Sequence, residues 1–269
     1  MAILAGLLLK VVWEFELERA MHNTGAAASV QAVEARSRLG QNLAIAMLSG
    51  FRGVVADFVW LRAHRVWEEA WDRLERPENP ENPSWYLMEQ DLRLAVTLQP
   101  HSIAFWDIGS WHMAWNISYG EGKNRNHPSQ LYRDKVARDW VLRGQQFLEE
   151  GIRNNPDNYE LHFRLGFLLY FKRKDPLGAI PHLKKAAGFP EAPLYVGRMI
   201  GHMHEKGGRK REAYEWWKKL WLEDHSRHPQ QLWEKIEKWG RESEEKLDIP
   251  TAERVFPRRS TAGTTGASS

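Results

Sequence analysis

Histidine is the residue type here best suited to chemistry, and His202, His204 and Glu205 form its tightest grouping. On a helix, residues two apart point about 200° away from each other, so these two imidazoles cannot close on one ion. A zinc-binding helix wants histidines four apart with a glutamate between them, and no H-E-x-x-H occurs. The expectation is one histidine facing a groove and one packing inside. His225 and His228 fall together in a predicted loop. Cysteine is absent, which excludes disulfides, thiolate metal sites and cysteine nucleophiles together. There is no G-x-x-x-x-G-K-[ST] loop and no G-x-G-x-x-G after a strand, so nothing reads as a phosphate cradle. Gly207-Gly208 reads as a turn between helices, and Glu68-Glu69 and Glu149-Glu150 as solvated faces. These residues point to no catalysis, no metal and no cofactor. Binding is the expectation.

The elements that would carry such a surface are helices. Of 269 residues, 42% are hydrophobic and 27% charged, an ordinary globular balance, but 14 are Trp. So many indoles imply bulky inter-helix packing or an aromatic-lined groove. A net charge of +3 is too small for a dedicated duplex-DNA binder, and nucleic acid is the less favoured partner class. β-Branched alternation is missing, so no sheet is expected. Residues Ala2 to Leu9 are apolar and then meet Lys10, Glu14, Glu16 and Glu18, far short of the roughly 20 apolar residues that span a bilayer. A degenerate membrane anchor, an amphipathic helix lying on the body and a cleaved signal stay open as readings. Thr24 to Ser29 reads as a linker. Helical spacing over Leu43 to Trp71 places Phe51, Val55, Phe58, Val59, Leu61 and Val66 on an apolar stripe, and RPENPENPS from Arg76 to Ser84 breaks it as a loop.

Self-similarity is the strongest signal. LHFRLGFLLYFKRKDPLGAIPHLKKAAGFP, Leu161 to Pro190, matches LYVGRMIGHMHEKGGRKREAYEWWKKLWLE, Leu194 to Glu223. Gly166 and Gly201 are 35 apart, while Ala179 and Ala213 are 34 apart. Two antiparallel helices approach closely only where one lacks bulk, which explains Gly and Ala at facing positions. Asp175-Pro176 reads as an N-cap followed by proline in the first turn. A divergent unit lies upstream, with Phe105, Ile108, Gly109 and His112 on one helix and Leu148, Gly151 and Pro156 on and after the next. Its extra residues are placed in Tyr119 to Gln130. Leu92, Ala95 and Pro100 suggest an earlier helix still, paired with the Phe51–Trp71 helix. Near the end, Leu232, Trp233, Ile236 and Trp239 give one apolar face to a helix over Gln230 to Leu247.

The period and the small residues resemble the tetratricopeptide repeat family. Leu165-Gly166, Ala179, Leu183 and Ala186 match its pattern in one unit, and Ile200-Gly201, Gly208, Ala213 and Trp217 in the next. GFRGVVADFVWLRA (Gly50–Ala63) and LAVTLQPHSIAFWDIGSWHMAWNIS (Leu94–Ser118) are similar to a poorly characterised bacterial group of membrane-anchored members. The resemblance implies an all-α fold, a right-handed α-α superhelix; the helix over Gln230 to Leu247 reads as its C-terminal capping helix, and the Pro-, Ser-, Thr- and Gly-rich stretch from Ile249 as a disordered tail. Its divisions would be 1–35 as N-terminal helix, anchor and linker, 36–229 as the repeat domain, 230–248 as the cap and 249–269 as the tail.

In that family the first helix of each pair lines a concave groove. Position matching puts Trp106, Ser110 and Met113 there, then Phe163, Phe167 and Tyr170, then Tyr195, Arg198, His202 and Glu205. The implied function is a non-enzymatic scaffold or adaptor holding a protein or peptide segment, at the bacterial inner membrane or, alternatively, in the cytoplasm. Coverage of those aromatics by the N-terminal helix or by Tyr119 to Gln130 is the competing reading. A basic edge recurs at successive turns, Lys172-Arg173-Lys174 and Arg209-Lys210-Arg211, and Lys184-Lys185 and Lys218-Lys219 recur on the outer helices. These charges read as a solvated face, an anionic membrane contact, or an RNA-binding ridge.

Overall fold

The computed structural model describes residues 50–75, 85–223 and 229–243. The protein is all-α, with no strand among the described residues. The expected N-terminal anchor and linker, the Arg76 to Ser84 loop, His225 and His228, and the tail from residue 249 lie outside those residues. No described helix is long and apolar enough to cross a membrane. The chain divides into two compact units, residues 1–155 and 156–269.

In the first unit, α1 (Arg52–Glu75) packs on α2 (Trp85–Leu98). Val55, Ala56, Val59 and Ala63 form the buried stripe of α1, against Met88, Leu92 and Ala95 of α2. The two alanines decide which side goes in, because they let the helix axes approach. Phe58 and Leu61, expected on the buried stripe, are instead 42% and 62% exposed and share the opposite side with Val54. An ion pair helps fasten the hairpin. Arg62 holds the buried carboxylate of Asp91 through two guanidinium nitrogens, with Nε at 2.7 Å from Oδ2.

Next, α3 (Ile103–Trp111) runs through a π-helical segment (His112–Ile117) into α4 (Ser118–Lys123), and α5 (Gln130–Asn154) packs back along them. Glycines set the contact distance. A β-carbon on Gly109 would stand 2.7 Å from the Phe147 ring, one on Gly144 would stand 2.8 Å from Cβ of Ala114, and one on Gly151 would stand 2.8 Å from Trp106. The stretch Tyr119 to Gln130, where the extra residues are placed, is part helix and part turn. Tyr119 to Lys123 are helical, and a short turn leads to α5, whose Ser129 cap accepts from the Tyr132 amide at 3.2 Å. The length goes into longer helices, because that keeps backbone groups paired and buries more side chain.

The second unit holds α6 (Tyr159–Phe171), α7 (Pro176–Ala187), α8 (Tyr195–Lys206), α9 (Lys210–Glu223) and α10 (Pro229–Glu242). Asn158 caps α6 by accepting from the Leu161 amide at 3.0 Å. Asp175 caps α7 by accepting from the Gly178 amide at 2.8 Å, with Pro176 in the first turn. Gly208, at φ 72°, turns α8 into α9, a left-handed conformation that glycine adopts without a Cβ clash. Corresponding contacts hold both hairpins. A β-carbon on Gly166 would stand 2.7 Å from Leu183, and one on Gly201 would stand 2.5 Å from Trp217. The hairpins also touch each other. Phe163 meets Tyr195 edge-on at 5.7 Å and Lys184 lies 5.0 Å from the centre of the Trp216 ring, while within the second hairpin Trp216 Nε1 donates to the Gly197 carbonyl at 2.7 Å. Helix α10 closes the end, burying Leu232, Ile236 and Trp239 with Trp217 and Trp221. The expected final helix reached Leu247, and residues 244–248 lie outside the described part.

Candidate functional site

The α6 sequence repeats an aromatic residue every fourth position: Tyr159, Phe163, Phe167 and Phe171. Side chains four apart on a helix lie one above another, so the rings form a row. Phe163 and Phe167 have centroids 6.1 Å apart, and Phe167 and Phe171 are 4.2 Å apart. Tyr170 meets Phe171 edge-on at 4.6 Å, and Tyr195 of α8 closes the other end against Phe163. The row is half-buried along its length, and Phe171 and Tyr195 are 43% and 44% exposed. From Tyr195 the same side of α8 continues through Arg198 and His202, both half-buried. Of the expected groove residues, Phe163, Phe167, Tyr170 and Tyr195 are thus brought together, with Arg198 and His202 continuing the α8 side.

The upstream part of the expected groove is a different environment. Trp106 and Met113 are 1% and 0% exposed, and Ser110 is equally enclosed. Trp106 packs at a tilt against Phe147 at 4.7 Å, covers Gly151 and donates Nε1 to the Pro100 carbonyl at 2.8 Å. These three residues are core, not groove, because α5 is long enough to cover the whole inner side of α3.

Glu205 was also expected to face the groove, and it faces inward. Its carboxylate accepts from Trp217 Nε1 at 2.9 Å, Trp239 Nε1 at 2.6 Å and Lys235 Nζ at 2.8 Å, and it meets His202 Nδ1 at 3.2 Å. Burial alone would raise its pKa. The hydrogen bonds from His202, Lys235 and Trp239, with the charge of Lys235, outweigh that and bring it down to about 2. Glu205 therefore ties α8, α9 and α10 together. His202 sits over the edge of Trp217 at 5.1 Å, whereas His204 is buried beside Trp216 on another side of α8. Burial, then the charge of Lys184, lowers the His204 pKa. The divergence expected from their two-residue spacing is present.

The basic edge is partly spent on local pairing. Lys210 meets Glu242 at 3.5 Å and Arg209 meets Glu212 at 3.7 Å. Lys172 is half-buried, and burial followed by the charge of Lys174 lowers its pKa. Lys174 itself adopts φ 56° in the turn, while Arg173 and Arg211 are exposed. The outer pairs serve packing as well. Lys184 and Lys219 approach the Trp216 ring to 5.0 and 4.9 Å.

Two groupings in the first unit have no counterpart in the sequence reading. His112 lies in the π-helical segment, 4% exposed, with Trp67 at 5.1 Å, His64 at 5.6 Å and Asn116 Nδ2 at 3.0 Å from its Nδ1. Burial, then the charge of His64, lowers its pKa to about 4, so the ring is neutral near pH 7. Buried Glu121 accepts from Trp85 Nε1 at 2.7 Å and from His127 Nε2, pinning the turn before α5. Among the described residues no three His, Cys, Asp or Glu side chains are placed to hold a metal. The additions to the aromatic row, Tyr159 and Phe171, carried a visible signal, because their four-residue spacing runs the length of α6. Comparison with models of known protein families gives no match to the chain, and comparison with curated proteins gives none either.

Proposed function

We propose that this protein is a non-enzymatic scaffold or adaptor of the tetratricopeptide kind, which holds a segment of another protein against the aromatic row of α6. The observation that carries this reading is the row itself: Phe163, Phe167 and Phe171, half-exposed and in ring contact, with Tyr195 from the neighbouring hairpin closing one end. Side chains of this size normally go inward, and a contiguous exposed aromatic row on a well-packed frame is what an interaction surface needs. The equivalent Gly166–Leu183 and Gly201–Trp217 contacts, whose members are 35 and 34 residues apart, support the repeat assignment. An RNA-binding ridge is the weaker reading, because Arg209 and Lys210 are engaged with carboxylates.

The test is a Phe167→Ala, Tyr170→Ala double variant of the full chain. Both side chains are half-exposed, so the fold persists by circular dichroism while partner capture from cell extract falls. An unchanged capture profile refutes the reading. Membrane fractionation of the full chain tests the inner-membrane placement, which the apolar stretch Ala2 to Leu9 motivates.

A further inference from the structure

We propose that the segment held on this face is an extended, proline-rich and acidic peptide, an inference that rests on reading the aromatic row as a binding surface. Three observations point to this ligand. The first is spacing. The centres of Phe163, Phe167 and Phe171 follow one another at 6.1 and 4.2 Å, so the row is about 10 Å long at most. A polyproline II chain advances about 3.1 Å per residue with three residues per turn, so the same face returns about every 9 Å and residues i and i+3 meet the two ends of the row. Pyrrolidine rings present flat apolar faces, and such a chain has little conformational freedom left to lose on binding.

The second observation separates an extended ligand from a helical one, whose i, i+7 anchors, about 10 Å apart, would also fit the row. A helix about 10 Å across needs apolar walls on both sides. Here only α6 is apolar along its length, since the α8 side changes after Tyr195 to Arg198 and His202. One aromatic rail beside one polar rail suits a thin chain. Its prolines three apart lie on Phe163 and Phe171, with Phe167 between them, while its backbone carbonyls, which have no internal hydrogen bonds, turn toward the donors on α8.

The third observation is charge complementarity. Arg164 sits 5.9 Å from the centre of the Phe163 ring, Arg198 makes no ion pair among the described residues, and Arg173 and Lys174 stand exposed at the far end of the row. Glu205, the carboxylate of α8, is turned inward onto its four partners, so its charge does not cancel theirs. Glu160 is the one acidic residue of α6. A cationic border favours acidic residues between the prolines.

The experiment is fluorescence anisotropy on the full chain with three labelled peptides: a Glu-Pro-Pro repeat, a Lys-Pro-Pro repeat of equal length, and an acidic amphipathic helix with Leu anchors. The Glu-Pro-Pro peptide is expected to bind, with the lysine version at least about tenfold weaker. Phe167→Ala should weaken it about tenfold, and Phe167→Leu, which keeps bulk but removes the ring, should weaken it several-fold. Arg198→Ala should weaken it less and flatten its salt dependence. Tighter binding of the helical peptide, sensitive to Phe167→Ala, overturns the proposal and leaves the binding surface intact. Failure of the Glu-Pro-Pro peptide to bind, or binding indifferent to both Phe167 and Arg198 substitutions, also overturns it. The adaptor reading itself falls only with unchanged capture by the Phe167, Tyr170 double variant.

Discussion

Replacing Glu205 by Gln tests how the second unit is closed. The carboxamide keeps the shape and can still accept one or two hydrogen bonds, but it removes the charge and places an N–H₂ where Lys235 and His202 now converge. In the wild type the pKa moves from 4.5 to about 2. Each pKa unit is worth about 1.4 kcal/mol, so the full shift corresponds to roughly 3 kcal/mol. The carboxylate is 10% exposed but Lys235 is 32% exposed, so solvent screens part of this. A loss of about 1–3 kcal/mol is expected for Glu205→Gln. In a unit of this size each kcal/mol lowers Tm by about 4–8 °C. The sign of the pH dependence follows from the depressed pKa. The contribution is complete above the unfolded value near 4.5 and is lost as pH falls toward 2. Thermal unfolding followed by Trp fluorescence at several pH values reads both effects, because Trp217 and Trp239 lie on the carboxylate. A Glu205→Gln protein that melts within a degree of wild type at pH 7, or that keeps the same acid sensitivity between 4.5 and 2, refutes the reasoning.

Two further outcomes are expected. Gly201→Ala forces a β-carbon to 2.5 Å from the Trp217 ring and should destabilise by about 1–3 kcal/mol, whereas Gly188→Ala, with its nearest neighbour at 3.4 Å, should be close to neutral; denaturant unfolding of both variants checks the contrast. The buried His112, with its pKa lowered from 6.5 to about 4, should make the first unit less stable as pH falls from 6.5 toward 4, since the unfolded chain binds that proton more readily. Urea unfolding across that range should show a shallower slope in His112→Gln.

The hairpins of the second unit could be read directly, because Gly166, Ala179, Gly201 and Ala213 mark where helices meet and the marks recur. Capping was equally local, and Asp175-Pro176 behaves as its types dictate. Depth was not legible. Trp106 and Met113 occupy positions that would face a groove in a shorter hairpin, but α5, with its 25 residues, buries them. Glu205 shows the same limit from the other direction. On α8 it shares a side with His202, but Trp239, 34 residues later, returns to cover it. Periodicity within one helix says which residues share a side and nothing about what arrives from far along the chain. The aromatic row was half legible: matching to a repeat pattern found Phe163 and Phe167, and a plain count of fours would have added Tyr159 and Phe171.

The π-helical turn from His112 to Ile117 has an effect on numbering as well as on shape. Closing bonds to the fifth residue accommodates one residue more than α geometry would, and each residue of a helix advances about 100° around the axis. Downstream, every side chain therefore occupies the angular place of its predecessor. Glu121 stands where an uninterrupted helix would have put Gly120, and that rotation is what aims its carboxylate at the Trp85 indole. Deleting a single residue from this stretch would restore α geometry and swing the acid off its partners, so the apparent irregularity is the element that sets the phase of the helix end.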